Sequence, residues 1–99
     1  MRIVALDDDA LQLELFKRAI TDMGHSCHTY QTGAALMKDM RRDTFDLLLV
    51  DWHLPDTSGP EVVRWVRKHV GLDLPILFVT SRQEERDIVE GLDCGADDF

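Results

Sequence analysis

The sequence predicts an α/β protein built on a doubly wound parallel sheet, and three features point there. Leu47-Leu48-Leu49-Val50 is an aliphatic run without polar alternation, the pattern of a strand buried on both faces. Ile3-Val4-Ala5-Leu6 and Ile76-Leu77-Phe78-Val79 repeat that pattern, and amphipathic segments of helical period separate the runs. Strands alternating with helices imply right-handed β-α-β crossovers, and therefore parallel pairing.

The composition sets the bounds. At 99 residues, with 44% hydrophobic and 30% charged, the chain has material for one domain with a modest core. A formal net charge of −8 argues against a nucleic-acid surface in this segment, which would need clustered Lys and Arg. No stretch reaches the length of a membrane-spanning helix, and Met1-Arg2 leads into a strand rather than a signal sequence. No membrane partner is therefore expected, and the location is expected to be cytoplasmic. Cys27 and Cys94 fit inert packing positions in a reducing compartment better than a disulfide framework.

Taken in order, the first strand ends in Asp7-Asp8-Asp9. Asp9 can cap a helix with Gln12 at the capping-box position, Leu13, Phe16, Ile20 and Met23 on its inner face, and Gly24 as its stop. Leu11, Leu15 and Ala19 widen that apolar stripe beyond the needs of one sheet face. Ser26 to Tyr30 is less apolar and reads as an edge strand. Thr32 caps a second helix to about Arg41, with Ala35, Leu36 and Met40 inward, and Phe45 leads into the central strand. Beyond Asp51, Pro55 and Gly59 mark a loop. Ser58-Gly59-Pro60-Glu61 then opens a third helix, with Val62, Val63, Val66 and Val70 as its stripe before Gly71. After the strand at Ile76-Val79 come Thr80-Ser81 and a further helix with Ile88, Val89 and Leu92 inward, ending near Gly95.

An edge position for the second strand gives the spatial order 2-1-3-4. The first and third strands are then neighbours, and Asp7, Asp8 and Asp51 share one pocket at the carboxyl ends of the strands, where open α/β sheets bind ligands. Crowded carboxylates repel, and a site accommodates them by supplying a cation or by raising a pKa; a hard, oxygen-seeking ion such as Mg²⁺ is the economical answer. A carboxylate there can attack phosphorus, and Thr80, ending the adjacent strand, offers a hydroxyl to a phosphoryl oxygen.

Plainer roles fit other residues. Asp9 reads as a cap only, and Asp56 as turn chemistry. His25, Cys27 and His28 lack a second ligand pair for zinc. Trp52 and Trp65 read as packing or rim groups, and Arg64, Arg67, Lys68 and His69 as compensation of a helix dipole.

At the acidic pair Asp7-Asp8, the turn Asp51-Trp52-His53-Leu54-Pro55 with Gly59, the pair Thr80-Ser81, and Gly91-Leu92-Asp93-Cys94-Gly95-Ala96-Asp97-Asp98-Phe99, the chain resembles the receiver domains of two-component response regulators. The resemblance spans residues 1–99 and implies a flavodoxin-like fold and a signalling module rather than an enzyme. It implies that Asp51 is the phosphoacceptor for a histidine kinase or phosphotransfer protein. Mg²⁺ would be held by Asp8, Asp51 and the backbone carbonyl of His53, with Asp7 acting mainly through water. Thr80 would contact the phosphoryl group and Phe99 would be the aromatic switch, shifting the surface of the fourth helix and its following strand. The family's Lys-Pro pair, fifth strand and fifth helix fall beyond Phe99, so the receiver is expected to be incomplete at its C-terminus. That leaves an apolar stripe and a strand edge expected to favour self-association, including a homodimer. Receivers are commonly followed by a DNA-binding output domain. Two other functions compete: an interaction domain working without phosphorylation, and an aspartate-nucleophile phosphatase of haloacid-dehalogenase type. The latter calls for a second aspartate where His53 stands.

Overall fold

Each helix begins where a side-chain oxygen can accept the first unpaired amides. In the computed structural model, which describes residues 1–71 and 73–79, the elements run β1 (Arg2–Leu6), α1 (Ala10–Asp22), β2 (Ser26–Tyr30), α2 (Gly33–Met40), β3 (Leu47–Val50), α3 (Gly59–His69) and β4 (Ile76–Phe78). Asp9 caps α1 by accepting from Leu11 N and Gln12 N. Thr32 caps α2 through Ala35 N, and Ser58 caps α3 through Glu61 N with Pro60 in the first turn. Gly24 follows α1 with φ 88°, a left-handed conformation that costs glycine little.

The sheet order is β2-β1-β3-β4 with every pair parallel, as the apolar runs predicted. Leu6 pairs with Val50, and the ladder continues one step further through Asp51 N to Leu6 O at 2.9 Å. Asp7 N likewise donates to Tyr30 O at 3.1 Å, so Asp7 and Asp51 leave the sheet level with each other.

Alternate strand residues feed two separate cores, because successive side chains of a strand point to opposite faces. Val4, Leu6, Leu48, Val50, Ile76 and Phe78 join Leu36 and Met40 of α2 and Val62, Val63 and Val66 of α3. Ile3, Ala5 and Cys27 join Leu13 and Ile20 of α1 on the other face, with Phe16 half-buried beside them. Each fully buried aliphatic side chain contributes roughly 1.5–3 kcal/mol, so the larger face supplies most of the stability. Burial also pushes the Cys27 thiol above its ordinary pKa, in keeping with a packing role.

Three residues expected to face inward are exposed. Ala35 is turned out because the buried face of α2 is Gly33, Leu36 and Met40, a spacing that leaves position 35 to one side. Met23 and Val70 are the C-terminal caps of α1 and α3, where the chain has already turned away from the sheet. Leu11 and Leu15 do face solvent, at 70% and 53% exposed. The helix expected after Ser81 lies outside the described residues, and no helix among the described residues is long and apolar enough to cross a membrane.

Candidate functional site

The carboxyl ends of β1 and β3 carry the candidate site. Asp7, Asp8 and Asp51 each offer a carboxylate oxygen, and these oxygens all lie within 4.8 Å of one another. The arrangement follows from the sheet: two apolar runs in parallel register end on acid at the same level. Asp7 is buried, Asp51 half-buried and Asp8 exposed, so the cluster opens to solvent on one side.

Its electrostatics are unfavourable as they stand. Burial, reinforced by the charges of Asp51 and Asp8, pushes Asp7 up to about 6, against the lowering effect of the Asp9 amide. That amide reaches Asp7 Oδ1 at 2.9 Å. Asp51 is raised as well, first by burial and then by the charge of Asp8, although Trp52 N donates to its Oδ1 at 2.9 Å. Three hard oxygen donors on one spot, two of them held out of their ordinary ionisation range, are the donor set that suits a divalent cation of the Mg²⁺ type. The residues present therefore fit the ion that the sequence called for.

The other anticipated residues fall as follows. His53 follows Asp51 on the loop, exposed, and an isolated antiparallel bridge pairs it with Ser58. Thr80 and Phe99 lie outside the described residues. Among the described residues, no group of three potential ligands forms around His25, Cys27 and His28. His25 Nδ1 meets the N-terminal amine at 3.1 Å, and the His28 ring packs edge-on to Phe45. Trp52 is a core residue, its ring 5.2 Å from that of Phe78.

One residue near the site has a role its local sequence does not announce. Asp56, expected to serve only its own turn, accepts from Gly33 N and Ala34 N at 3.0 Å each, joining the β3–α3 loop to the start of α2. The usable signal was indirect: Thr32 can satisfy only some of the free amides of α2.

Comparison with known proteins agrees with this geometry. A family model described as "Response regulator receiver domain" matches residues 3–99. "Response regulator MprA" of Mycobacterium leprae is 39% identical over 99 residues, covering 100% of this chain and 43% of the relative. "Phosphate regulon transcriptional regulatory protein PhoB" of Pseudomonas aeruginosa is 35% identical over 101 residues, covering 98% of this chain and 43% of the relative. The chain thus spans less than half the length of these relatives. Among solved structures, the non-phosphorylated HemR receiver domain of Leptospira biflexa superposes with TM-score 0.90 at 28% identity, covering 99% of this chain and 78% of that one. A two-component response regulator from Clostridium difficile gives TM-score 0.94 at 22% identity over 100% of this chain and 80% of that one, a likeness of fold. With a matched segment running from the first apolar strand to Phe99, and with the sheet order and acid cluster already in place, the chain belongs to the response regulator receiver domain family.

Proposed function

We propose that this chain is a phosphorylation-switched receiver, with Asp51 as phosphoacceptor and a histidine kinase or phosphotransfer protein as donor. The observation that carries the reading is the convergence of Asp7, Asp8 and Asp51 within 4.8 Å at the ends of two neighbouring parallel strands. An Oδ of Asp51 forms the new O–P bond while the P–N bond of the phosphohistidine breaks, and the electron pair of that bond returns to the imidazole nitrogen. Mg²⁺, when bound, would supply charge neutralisation for the phosphoryl oxygens. Asp8, Asp51 and the His53 carbonyl would hold that ion, with Asp7 acting mainly through water. The Trp52 amide helps orient the Asp51 carboxylate by donating to its Oδ1.

Thr80 then engages the phosphoryl group, and Phe99 follows it, altering the surface offered to an output. As a receiver the chain acts as a switch rather than a classical enzyme. The longer relatives named as transcriptional regulatory proteins support an output that acts on transcription, through a domain other than this acidic segment.

The test is phosphate transfer to the full-length protein from a phosphohistidine donor, with and without Mg²⁺. The expected result is an Mg²⁺-dependent, hydroxylamine-labile gain of one phosphoryl group that Asp51→Asn abolishes. An Asp51→Asn protein that gains it equally overturns the assignment.

A further inference from the structure

We propose that Asp56 is a positioning residue for the metal and phosphoryl site: its carboxylate, bound to the first amides of α2, holds the loop that presents His53 beside Asp51. This rests on the reading of Asp51 as a metal-supported phosphoacceptor and extends it to a residue that touches neither ion nor phosphate.

The start of α2 offers amides that its own cap does not satisfy. Thr32 Oγ1 takes Ala35 N at 3.2 Å, which leaves Gly33 N and Ala34 N. Asp56 binds both, Oδ1 to Gly33 and Oδ2 to Ala34, so its two oxygens are engaged from 23 and 22 residues away along the chain. Those amides hold its carboxyl below the ordinary range even though the side chain is exposed. The two segments meet closely at Gly33, where the tight neighbour is a side-chain methyl and the Asp56 oxygen stands at ordinary contact. A Cβ on Gly33 would stand 2.6 Å from Thr57 Cγ2 and 3.6 Å from Asp56 Oδ1.

The loop is pinned at its other end too. Gly59 N donates to Trp52 O at 2.7 Å, and His53 bridges to Ser58 just inside that bond. A connection closed at its base and fastened at its tip leaves the residues between little freedom, whereas an ordinary surface loop is mobile. His53 sits in that span, two residues from Asp51. Metal sites tolerate misplacement of about 0.5 Å, and groups that orient a ligand without touching the ion are typically worth about 10–100-fold in metal affinity.

The experiment measures Mg²⁺ affinity of the full-length protein by calorimetry, for wild type, Asp51→Asn and Asp56→Ala, in low salt and in about 1 M salt, where the Debye length falls to about 3 Å. Asp56→Ala is expected to bind Mg²⁺ about tenfold more weakly at both salt concentrations. If that variant does not fold, Asp56→Asn, which keeps one of the two acceptors, is expected to show a smaller loss of the same kind. A variant that melts earlier yet binds Mg²⁺ like wild type would make Asp56 a structural cap only and overturn the proposal. So would a loss that vanishes in high salt, since it would be the effect of a missing charge. The two readings fail separately. If wild type binds no Mg²⁺, or Asp51→Asn binds it undiminished, the site itself falls and the role of Asp56 with it. If wild type binds through Asp51 and both Asp56 variants match it, only the positioning role falls.

Discussion

Replacing Gly59 with alanine tests the packing that seats the candidate site. Gly59 opens α3 and is buried against the end of β3. A Cβ there would lie 2.5 Å from Asp51 O and 3.1 Å from Trp52 Cα, both backbone atoms, and 2.7 Å from Phe78 Cε1. Carbon–oxygen contacts of this kind belong near about 3.3 Å, so the start of α3 must retreat by roughly 0.8 Å. No side-chain rotation relieves a clash with main chain. Overpacking of this sort costs about 1–3 kcal/mol, and stretching the 2.7 Å bond from Gly59 N to Trp52 O adds about 1 kcal/mol. Against this stands the entropic gain of alanine over glycine in the unfolded chain, about 0.4–1 kcal/mol, so the clash wins. The net loss is about 2 kcal/mol, or roughly 10–15 °C in Tm for a domain of this size. Urea denaturation followed by tryptophan fluorescence should show a lower midpoint at unchanged slope. Gly24→Ala is the control. Nothing lies within 4 Å of its Cβ, and only the strain of φ +88° remains, about 1 kcal/mol. A Gly59→Ala protein within about 0.5 kcal/mol of wild type would refute the steric argument, because surface substitutions already vary that much.

Two further outcomes follow from the electrostatics. Tyr30 is the one tyrosine of the chain, and burial together with its 2.6 Å bond to Asp39 Oδ2 pushes it up to about 12. Phenolate absorbance should therefore rise near pH 12, and the stability this pair lends should be intact below pH 10 and fade between 10 and 12; Asp39→Asn should lower the titration, whereas a wild-type midpoint near 10 would refute it. Without divalent ion, Asp7, with its folded pKa near 6 against an ordinary 3.8, binds more protons folded than unfolded, so its contribution to stability falls as pH climbs from about 4 through 6 and levels off above. Asp7→Asn should accordingly raise the metal-free Tm at pH 7, by roughly 1–3 kcal/mol of stability, and weaken Mg²⁺ stabilisation; a metal-free Tm that drops would contradict this.

The sheet and the acid cluster were legible because they rest on the same local signal. Apolar runs such as Leu47-Leu48-Leu49-Val50 suit interior strands, although Leu47 and Leu49 prove only half-buried on the α1 face, and with the polar strand at Ser26–Tyr30 on the edge and β1 beside β3 the acids after Leu6 and Val50 meet. The caps Asp9, Thr32 and Ser58 were legible for a similar reason, since capping acts within three residues. The reach of Asp56 to Gly33 was not legible, because the same residue type in a Pro-Asp-Thr loop satisfies turn chemistry equally well and nothing local names a partner 23 residues away. Ala35, Met23 and Val70 face solvent although they are apolar, because helix phase and the last turn before a cap, not hydrophobic type, decide which way a side chain points. Trp52 could have been a packing or a rim residue. What makes it core is tertiary: the chain returns through Gly59, whose amide binds Trp52 O, and the Trp52 ring packs against Phe78 of β4.

That leaves the plain alternative for the acids, that they merely complement the dipole of α1. Asp9 satisfies it: exposed, accepting from Leu11 and Gln12 amides, where a cap belongs. Asp7 does not. It is 6% exposed and the sole charged residue among those buried in the described core, and one amide bond to Asp9 fails to offset the burial that raises its pKa to about 6. A carboxylate placed only for capping would gain nothing from leaving water, since an isolated buried charge costs more than any dipole term returns. The strain is confined to the one rim where Asp51 and Asp8 also stand, and a cation is the partner that would remove it.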